Sequence, residues 1–363
     1  MPRSWDRPHL APGGSASPRT RTRLEISLSK LNRTGAFPFT GDQPPLPPSG
    51  HRTIPSPDDV VTFLRTHERV SWNLTEILDI HWSEIDLDAM TPADAYVAES
   101  AMLVESNSPD YVANLIAFFK EDQDVCDFIM MWGIEEWKHY YALRDYISKV
   151  RTALAAREAA CTTNLEDTAR LKEIEVSVRR ALDQEVADIR EASSENWGIP
   201  MHYTAPQVVA NTTIQEFVTA DFYRNHARHT KEPVLAKIEM LLAKDETRHE
   251  MFYEERIGKC IEHDPDVMPM VIEALKEFGM PGAYLLDDYD ARRAAMEHAA
   301  FPTLADKKGA FVRLFAKMER IVGHENAMRV FTEGNYLSDG HEDASKKKMR
   351  PEMITRLITR KLA

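Results

Sequence analysis

Apolar residues recur every three or four positions along most of the chain, which is the spacing of amphipathic helices. From Pro57 onward the helical pattern is separated by short breaks rich in Pro, Gly, Ser and Asn, such as Ser106–Pro109 and Asn196–Pro200. No segment of useful length alternates between apolar and polar residues, as a half-buried strand would. The pattern therefore predicts an all-α fold.

Four of the predicted helices carry acidic residues within their apolar stripes. Their predicted bounds are about Thr91 to Asn107, Asp122 to Val150, and Ala205 to Arg228, with the fourth beginning at Pro233. The first start is well defined, because Thr91 is a good N-cap and Pro92 is favoured in a first turn. A further charged helix around residues 166–192 is expected to be a peripheral helix or a crossover, without chemistry of its own.

Two of these helices contain the pattern Glu-x-x-His. Residues three apart lie on one face of a helix, so Glu136 and His139 can point at one spot, and so can Glu246 and His249. One such pair is common in helical proteins. Two pairs match the di-iron bundle, in which two helices each supply a Glu-x-x-His and two others each supply a single Glu.

The two remaining helices offer single carboxylates. Glu99 lies in the middle of an apolar stripe, an unusual place for an acid because burial of an unpaired carboxylate is costly. Glu105 is the competing candidate, but it lies closer to the break after the helix. Glu216 has Thr219 nearly one turn further along an otherwise apolar stretch. We therefore expect Glu99 and Glu216 to complete the set.

Six residues thus form one candidate metal centre: Glu99, Glu136, His139, Glu216, Glu246 and His249. Oxygen-rich ligation with one imidazole per metal suits iron or manganese better than structural zinc. Four carboxylates would neutralise two divalent cations. The alternative is an ordinary surface ion pair between Lys138 and Glu135 or Glu136, which the apolar neighbours of these residues disfavour.

Composition narrows the class of protein. The formal net charge of −13 argues against a nucleic-acid-binding function. The three cysteines form no paired framework and are expected to be reduced thiols, as in a cytoplasmic protein. No apolar run approaches the roughly 20 residues that cross a bilayer, so the chain is not expected to span a membrane.

Residues 1–50 differ from the rest of the chain. They contain nine of the 21 prolines and carry seven basic against three acidic residues. We expect a disordered or surface-draped segment, with an organelle-targeting peptide as the alternative. Residues 51–363 are expected to form a single helical domain.

Together these motifs resemble those of the soluble acyl-acyl-carrier-protein desaturases, a branch of the ferritin-like di-iron proteins. The similarity extends from about Phe63 to the C-terminus. It is carried by Trp132-x-x-Glu135-Glu136-x-x-His139, by Gln215-Glu216-x-x-Thr219 and by Asp245-Glu246-x-Arg248-His249. The long span between His139 and Glu216 and the proline-rich head differ from the plastid enzymes and suggest a divergent bacterial member.

The resemblance implies a ferritin-like di-iron four-helix bundle core elaborated with additional helices, and it implies a role for each site residue. Glu99 and Glu216 would each chelate one of two iron ions, Glu136 and Glu246 would bridge them, and His139 and His249 would complete the coordination. Thr219 would place its hydroxyl beside the oxygen-binding face. Asp245 and Glu135 would hold the far nitrogens of the two histidines, and Trp82 would lie on the route of electron entry.

The resemblance also implies an O2-dependent desaturase of fatty acid metabolism. The acyl substrate would arrive on acyl carrier protein, electrons would come from a ferredoxin-type donor, and the enzyme would be a homodimer. The basic tail from Lys346 to Lys361 is one candidate surface for the acidic carrier protein.

Three alternatives remain at this point. A di-iron hydroxylase or N-oxygenase acting on a carrier-bound or free natural-product intermediate would use the same metals. A ribonucleotide reductase small subunit would place a radical tyrosine four residues after the first histidine, where this chain has Leu143. An iron-storage protein is disfavoured because the chain continues far beyond His249.

Overall fold

The computed structural model describes residues 71–72, 80–160, 165–183, 203–280, 282–286, 288–334 and 351–359. All of them belong to the compact unit Ile54–Ala363. These residues form helices, turns and bends without a strand, which confirms the all-α prediction. The predicted N-terminal segment 1–50 and most of the basic tail lie outside the described residues, and the prediction of a single domain over 51–363 stays a prediction.

The first half of the described chain contains the long helices. They are α1 Pro92–Glu105, α2 Ser108–Phe118, α3 Gln123–Ala159, α4 Leu165–Asp183, α5 Ala205–His229 and α6 Pro233–His263. The helices that follow are α7 Met268–Lys276, α8 Gly282–Leu285, α9 Tyr289–Ala300, α10 Leu304–Val322, α11 His324–Glu333 and α12 Pro351–Thr359. Two 3-10 turns, Trp82–Glu84 and Pro265–Val267, complete the order.

Local chemistry sets the helix starts as the sequence predicts. Thr91 accepts the Asp94 amide while the Asp94 carboxylate accepts the Thr91 amide, a capping box with Pro92 in the first turn. Asp122 caps α3 by accepting the Val125 amide. The predicted end of α3 near Val150 is too early, since the helix continues to Ala159.

Helices α1, α3, α5 and α6 form a four-helix core. Contacts between α3 and α6 run from Phe128–Phe252 through His139–Asp245 to Tyr146–Glu232, so these two helices are antiparallel. One apolar cluster, with Trp132 and Tyr253, fills one end of the core. A second cluster, with Leu143 and Leu242, fills the other. The residues between them on α3 and α6 are the two Glu-x-x-His patterns.

Helix α4 falls within the charged segment predicted as a peripheral helix or crossover, and it packs against α1 and α3. Ile174, Val178 and Ala181 are buried in the second apolar cluster. The Arg170 guanidinium donates hydrogen bonds to the carbonyl oxygens of Leu87 (2.6 Å) and Met90 (2.7 Å), so the helix is tied to the segment that precedes α1.

Among the described residues, no helix combines the length and the apolar character that a bilayer crossing requires. Cys126 and Cys260 are free thiols, as predicted, and Cys161 lies outside the described part of the chain.

Candidate metal centre

Six buried side chains from the four core helices form two overlapping groups. The first consists of Glu105, Glu136, His139 and Glu246, and the second of Glu136, Glu216, Glu246 and His249. Within each group the potential ligand atoms all lie within 4.8 Å of one another. Glu136 and Glu246 belong to both groups, which is the arrangement expected of carboxylates that bridge two metal ions.

Each histidine turns one ring nitrogen towards the carboxylates. His139 Nδ1 lies 3.4 Å from a Glu246 oxygen, and His249 Nδ1 lies 3.2 Å from a Glu136 oxygen and 3.3 Å from a Glu216 oxygen. Neither Nδ1 atom has a hydrogen-bond partner, although both are buried. A buried nitrogen aimed at carboxylates without a hydrogen bond is well placed to bind a metal ion, so the donor set fits a pair of metals.

The other nitrogen of each ring is held by an acid on the opposite helix. His139 Nε2 lies 3.2 Å from Asp245 Oδ2, and His249 Nε2 lies 2.9 Å from Glu135 Oε2. The structure therefore places Asp245 beside His139 and Glu135 beside His249, as predicted. Such hydrogen bonds fix the orientation and tautomer of metal-binding histidines.

The two outer acids are neutralised in the same way. Lys138 Nζ donates to Glu135 Oε1 (3.1 Å), and the Arg248 guanidinium bonds both Glu135 (3.1 Å) and Asp245. The Glu135–Lys138 pair weighed as a surface contact is thus real but buried. The order acid, Glu, any residue, base, His occurs at 135–139 and again at 245–249, so both halves build this outer layer alike.

Burial and mutual repulsion dominate the electrostatics. Burial raises the pKa of Glu105 well above its usual range, and the nearby Glu136 carboxylate adds to the rise. The pKa of Glu216 is raised by burial and by Glu246 in the same manner. Burial alone would lower the pKa of His139, but the hydrogen bond with Asp245 and the negative charge of the nearby Glu246 and Glu136 carboxylates hold it well above its ordinary value. The centre therefore favours cations, which compensate the clustered negative charge.

The structure does not bring Glu99 into either group. Glu99 is fully buried, but its carboxylate accepts hydrogen bonds from Arg180 (2.7 Å) and Arg292 (3.0 Å) and is not part of either group. Glu105 occupies the position predicted for Glu99. The two residues are six positions apart on α1, which places them on different faces of the helix.

One sequence signal favours Glu105. In the second half, Glu216 precedes Glu246 by 30 residues; in the first half, Glu105 precedes Glu136 by 31 residues and Glu99 precedes it by 37. If the two halves are built alike, the matching separation selects Glu105. The competing signal, an acid in an apolar stripe, was misleading because the partners of Glu99 come from α4 and α9.

Tyr223 and Thr219 lie beside the centre on α5. The Tyr223 hydroxyl donates to Glu105 Oε1 at 2.9 Å, a contact that the sequence did not indicate. The Thr219 hydroxyl donates to the Gln215 carbonyl oxygen of its own helix at 2.9 Å, yet Thr219 also lines the cavity that borders the carboxylates. Thr219 therefore lies close to the candidate centre, and the role predicted for its hydroxyl stays a prediction.

Trp72 and Trp132 lie against candidate ligands, His139 and His249 respectively. The Trp72 ring stacks on His139 with centroids 6.4 Å apart and planes inclined by 15°. Lys138 Nζ lies over the Trp72 ring and donates to its carbonyl oxygen at 2.7 Å. Trp82, on which the electron-entry prediction was based, packs half-buried against the second apolar cluster.

A cavity of about 440 Å³ extends from the centre towards the surface. Its inner end is bordered by Glu105, Glu136, Glu216 and Glu246. Most of the wall is apolar, and side chains such as Val104, Phe222, Leu286, Met296, Phe311 and Leu314 line it. Its lining also includes the exposed Glu297 and Lys307. An apolar passage of this volume suits a hydrophobic ligand that must reach the carboxylates.

Comparisons with known proteins agree with this geometry. Residues 180–322 match the family model described as "Fatty acid desaturase". The matched stretch contains Glu216, Glu246 and His249. The candidate ligands Glu105, Glu136 and His139 lie outside it, so their assignment depends on the geometry described above. The stearoyl-[acyl-carrier-protein] 9-desaturase, chloroplastic, of Solanum commersonii is 33% identical to this chain over 105 residues.

That alignment covers 28% of this chain and 26% of the relative, so the chain matches about a quarter of the length of this curated relative. The matched family and the named relative are both desaturases. With the paired carboxylate–histidine groups on four helices, they confirm the resemblance to the acyl-acyl-carrier-protein desaturase family that the motifs predict.

Proposed function

We propose that this protein is a di-iron oxidoreductase that introduces a carbon–carbon double bond into an acyl chain. Two adjacent methylene groups each lose one hydrogen atom, while O2, two electrons and two protons are consumed and two molecules of water are formed. The proposal depends above all on the two groups that share Glu136 and Glu246 and include an unpartnered histidine nitrogen each.

Each core helix contributes to the centre. Glu105 and Glu216 would each hold one iron, Glu136 and Glu246 would lie between the two, and His139 and His249 would complete the set. When bound, the metals would supply the reduction of O2. Asp245 and Glu135 keep the imidazoles oriented, and each of these acids forms a salt bridge with Arg248.

The cavity supports an acyl substrate. Its apolar wall would hold a methylene chain and exclude water, and its inner end would bring two carbons to the carboxylate cluster. Thr219 lies on the cavity wall near this end, where its hydroxyl could donate or accept a proton.

We further propose that the acyl chain arrives on acyl carrier protein, because the curated relative is named for that substrate. A carrier protein is acidic and would approach the exposed end of the cavity, where Lys307 provides positive charge and Arg293 is paired with Glu297. The electrons would come from a ferredoxin-type donor, and the chain would act as a homodimer. The identity of the metal as iron, the ferredoxin-type donor and the homodimer are all proposed from the family resemblance.

The experiment that tests this function is reconstitution with ferrous iron and a ferredoxin-based reducing system, followed by mass spectrometry on a panel of acyl carrier substrates. We expect about two irons per chain and a product that has lost two hydrogen atoms. A product that has gained one oxygen atom would instead identify the hydroxylase alternative. Glu136→Ala and His249→Ala should lose iron, and two full irons in either variant would contradict the ligand set.

A further inference from the structure

The hydroxyl of Tyr223 is hydrogen-bonded to one oxygen of a candidate metal ligand. It donates to Glu105 Oε1 at 2.9 Å, and both side chains are buried. The other carboxylate oxygen, Oε2, lies 4.0 Å from Nδ1 of His139, the ring nitrogen that has no hydrogen-bond partner. Tyr223 therefore occupies one oxygen of the carboxylate, and the second oxygen is turned towards the position that a metal ion would take.

Glu216, the matching ligand of the second group, has no such donor. Its Oε2 lies 3.3 Å from Nδ1 of His249, and its Oε1 is buried without a hydrogen-bond partner. Both oxygens of Glu216 are thus available to a cation. Tyr253, four residues after His249 on α6, does not take the part of Tyr223, because its buried hydroxyl has no hydrogen-bond partner either.

This difference has its origin in the lengths of α1 and α5. Tyr223 is seven residues after Glu216 on α5, and about two turns of helix bring the two side chains to the same face. Helix α1 ends at Glu105, so no residue of α1 lies two turns beyond that carboxylate. The residue seven positions further on is the apolar Val112 of α2. Only the second half of the chain can therefore supply a phenol in this way.

The distances between carboxylates and imidazoles also differ between the two groups. His249 Nδ1 lies 3.2 Å from a Glu136 oxygen and 3.3 Å from a Glu216 oxygen. His139 Nδ1 lies 4.0 Å from a Glu136 oxygen and 4.0 Å from a Glu105 oxygen. The second group is the more compact at these contacts, and the first leaves more room around its metal position.

We propose that Tyr223 is a positioning residue that restricts Glu105 to one metal-binding oxygen, so that the two metal positions are not equivalent. The hydrogen bond fixes the rotation of the carboxylate and draws electron density from Oε1. Glu105 would then bind through Oε2 alone, whereas Glu216 would bind through both of its oxygens. The first metal position would have one protein ligand atom fewer, close to the cavity that Glu105 and Tyr223 both line. This inference rests on the metal centre of the proposed function.

Mössbauer spectroscopy of the full-length protein loaded with isotopically enriched iron tests the difference between the two positions. The unchanged protein should give two quadrupole doublets of equal area. Tyr223→Phe should bring the doublets closer together, because Glu105 Oε1 becomes available to the metal. Tyr253→Phe is the matched control, since it removes a buried hydroxyl without a hydrogen-bond partner and should leave both doublets in place. Identical spectra for the unchanged protein and Tyr223→Phe would overturn the proposal.

Iron content and a crystal structure separate this inference from the proposed function. All three proteins should bind about two irons per chain, because each keeps the six ligands. The iron-loaded unchanged protein should show Glu105 bound through Oε2 with the Tyr223 hydroxyl on Oε1, and Tyr223→Phe should show both oxygens on the metal. Binding of Glu105 through both oxygens in the unchanged protein would overturn this inference alone. An unchanged protein that binds no iron would contradict the proposed function as well.

Discussion

At the scale of single residues, α1 contains two buried glutamates with different surroundings. The Glu99 carboxylate is neutralised by Arg180 and Arg292, and Arg292 also bonds Ser100 and Asp288. Glu105 instead faces Glu136, Glu246 and an imidazole, with the Tyr223 hydroxyl as its donor. Glu99 thus has its positive charge within the protein, while Glu105 requires a cation from outside.

This difference predicts that a Glu→Gln substitution has different effects at the two positions. Glu105→Gln should lower bound iron to about half or less, because it removes an anionic ligand from a centre that needs four. Glu99→Gln should keep its iron, although weaker ion pairs should lower the free energy of unfolding by about 1–3 kcal/mol. Metal analysis and urea unfolding measure the two effects. Full iron in the Glu105 variant together with loss in the Glu99 variant would restore the original assignment.

Thr219 gives a second prediction at this scale. Thr219→Val keeps the shape of the side chain but removes the hydroxyl from the cavity wall, so iron content should be unchanged while product formed per O2 consumed falls severalfold. Thr212→Val is the matched control, because Thr212 makes the same hydrogen bond to its own helix (to Val208, 2.9 Å) and is not among the cavity-lining residues. Equal coupling in the two variants would remove the role proposed for Thr219.

At the scale of elements, the contact of α2 with α3 depends on one glycine. A Cβ placed on Gly133 would lie 2.2 Å from a Val112 methyl carbon, far closer than two carbons approach. The backbone of α3 can therefore approach α2 closely just before Glu135 and Glu136. One methyl of Val112 points at this position, and a β-branched side chain has few rotamers with which to move that methyl aside.

Gly133→Ala should consequently lower the free energy of unfolding by about 1–3 kcal/mol, the typical cost of overpacking. Adding Val112→Ala should recover part of that loss. Gly258→Ala is the control, since a Cβ there meets nothing within 4 Å, and alanine in an exposed helix should stabilise by up to about 1 kcal/mol. Thermal and urea unfolding test the set, and a neutral Gly133→Ala would show that α2 shifts freely.

Much of the element structure follows from short-range chemistry and could be predicted. Thr91 and Pro233 start their helices, and each Glu-x-x-His lies within one turn of one helix, where spacing alone fixes the geometry. Glu99 could not be resolved in this way, because the partner that neutralises it, Arg292, is 193 residues away. The role predicted for Trp82 stays a prediction, and the stacking of Trp72 on His139 was not indicated by the sequence.

At the scale of the whole molecule, the fold buries a cluster of like charge between two apolar clusters. Removing iron should leave four inner carboxylates balanced only by two imidazoles, a state that burial disfavours. We therefore expect chelation to lower the unfolding temperature by several degrees, and ferrous iron to restore it, because a ligand at a hundred times its dissociation constant stabilises by about 3 kcal/mol. Differential scanning calorimetry measures the shift. Identical unfolding temperatures with and without iron would contradict this dependence.

The helical class and the paired halves could be predicted at this scale because periodicity and repeated motifs are properties of the whole chain. The packing of α4 could not be predicted. Its narrow apolar stripe suggested a peripheral helix or crossover, and Ile174 and Val178 of that stripe are buried against the core, but the contact of Arg180 with Glu99 on α1 was not indicated. A helix can pack against the core with few apolar residues when its other contacts are ionic. The hydrophobic pattern of the sequence does not reveal ionic contacts.

The crossed hydrogen bonds between α3 and α6 have a consequence for how the centre fills. Asp245 orients the histidine of the first group, and Glu135 orients that of the second, so each helix aligns a ligand of the other. Glu136 and Glu246 are moreover common to both groups. An ion that binds at one position therefore orients the two shared carboxylates, which the second position also needs. Loading should be cooperative, and chains with a single metal should be scarce at every stage of a titration.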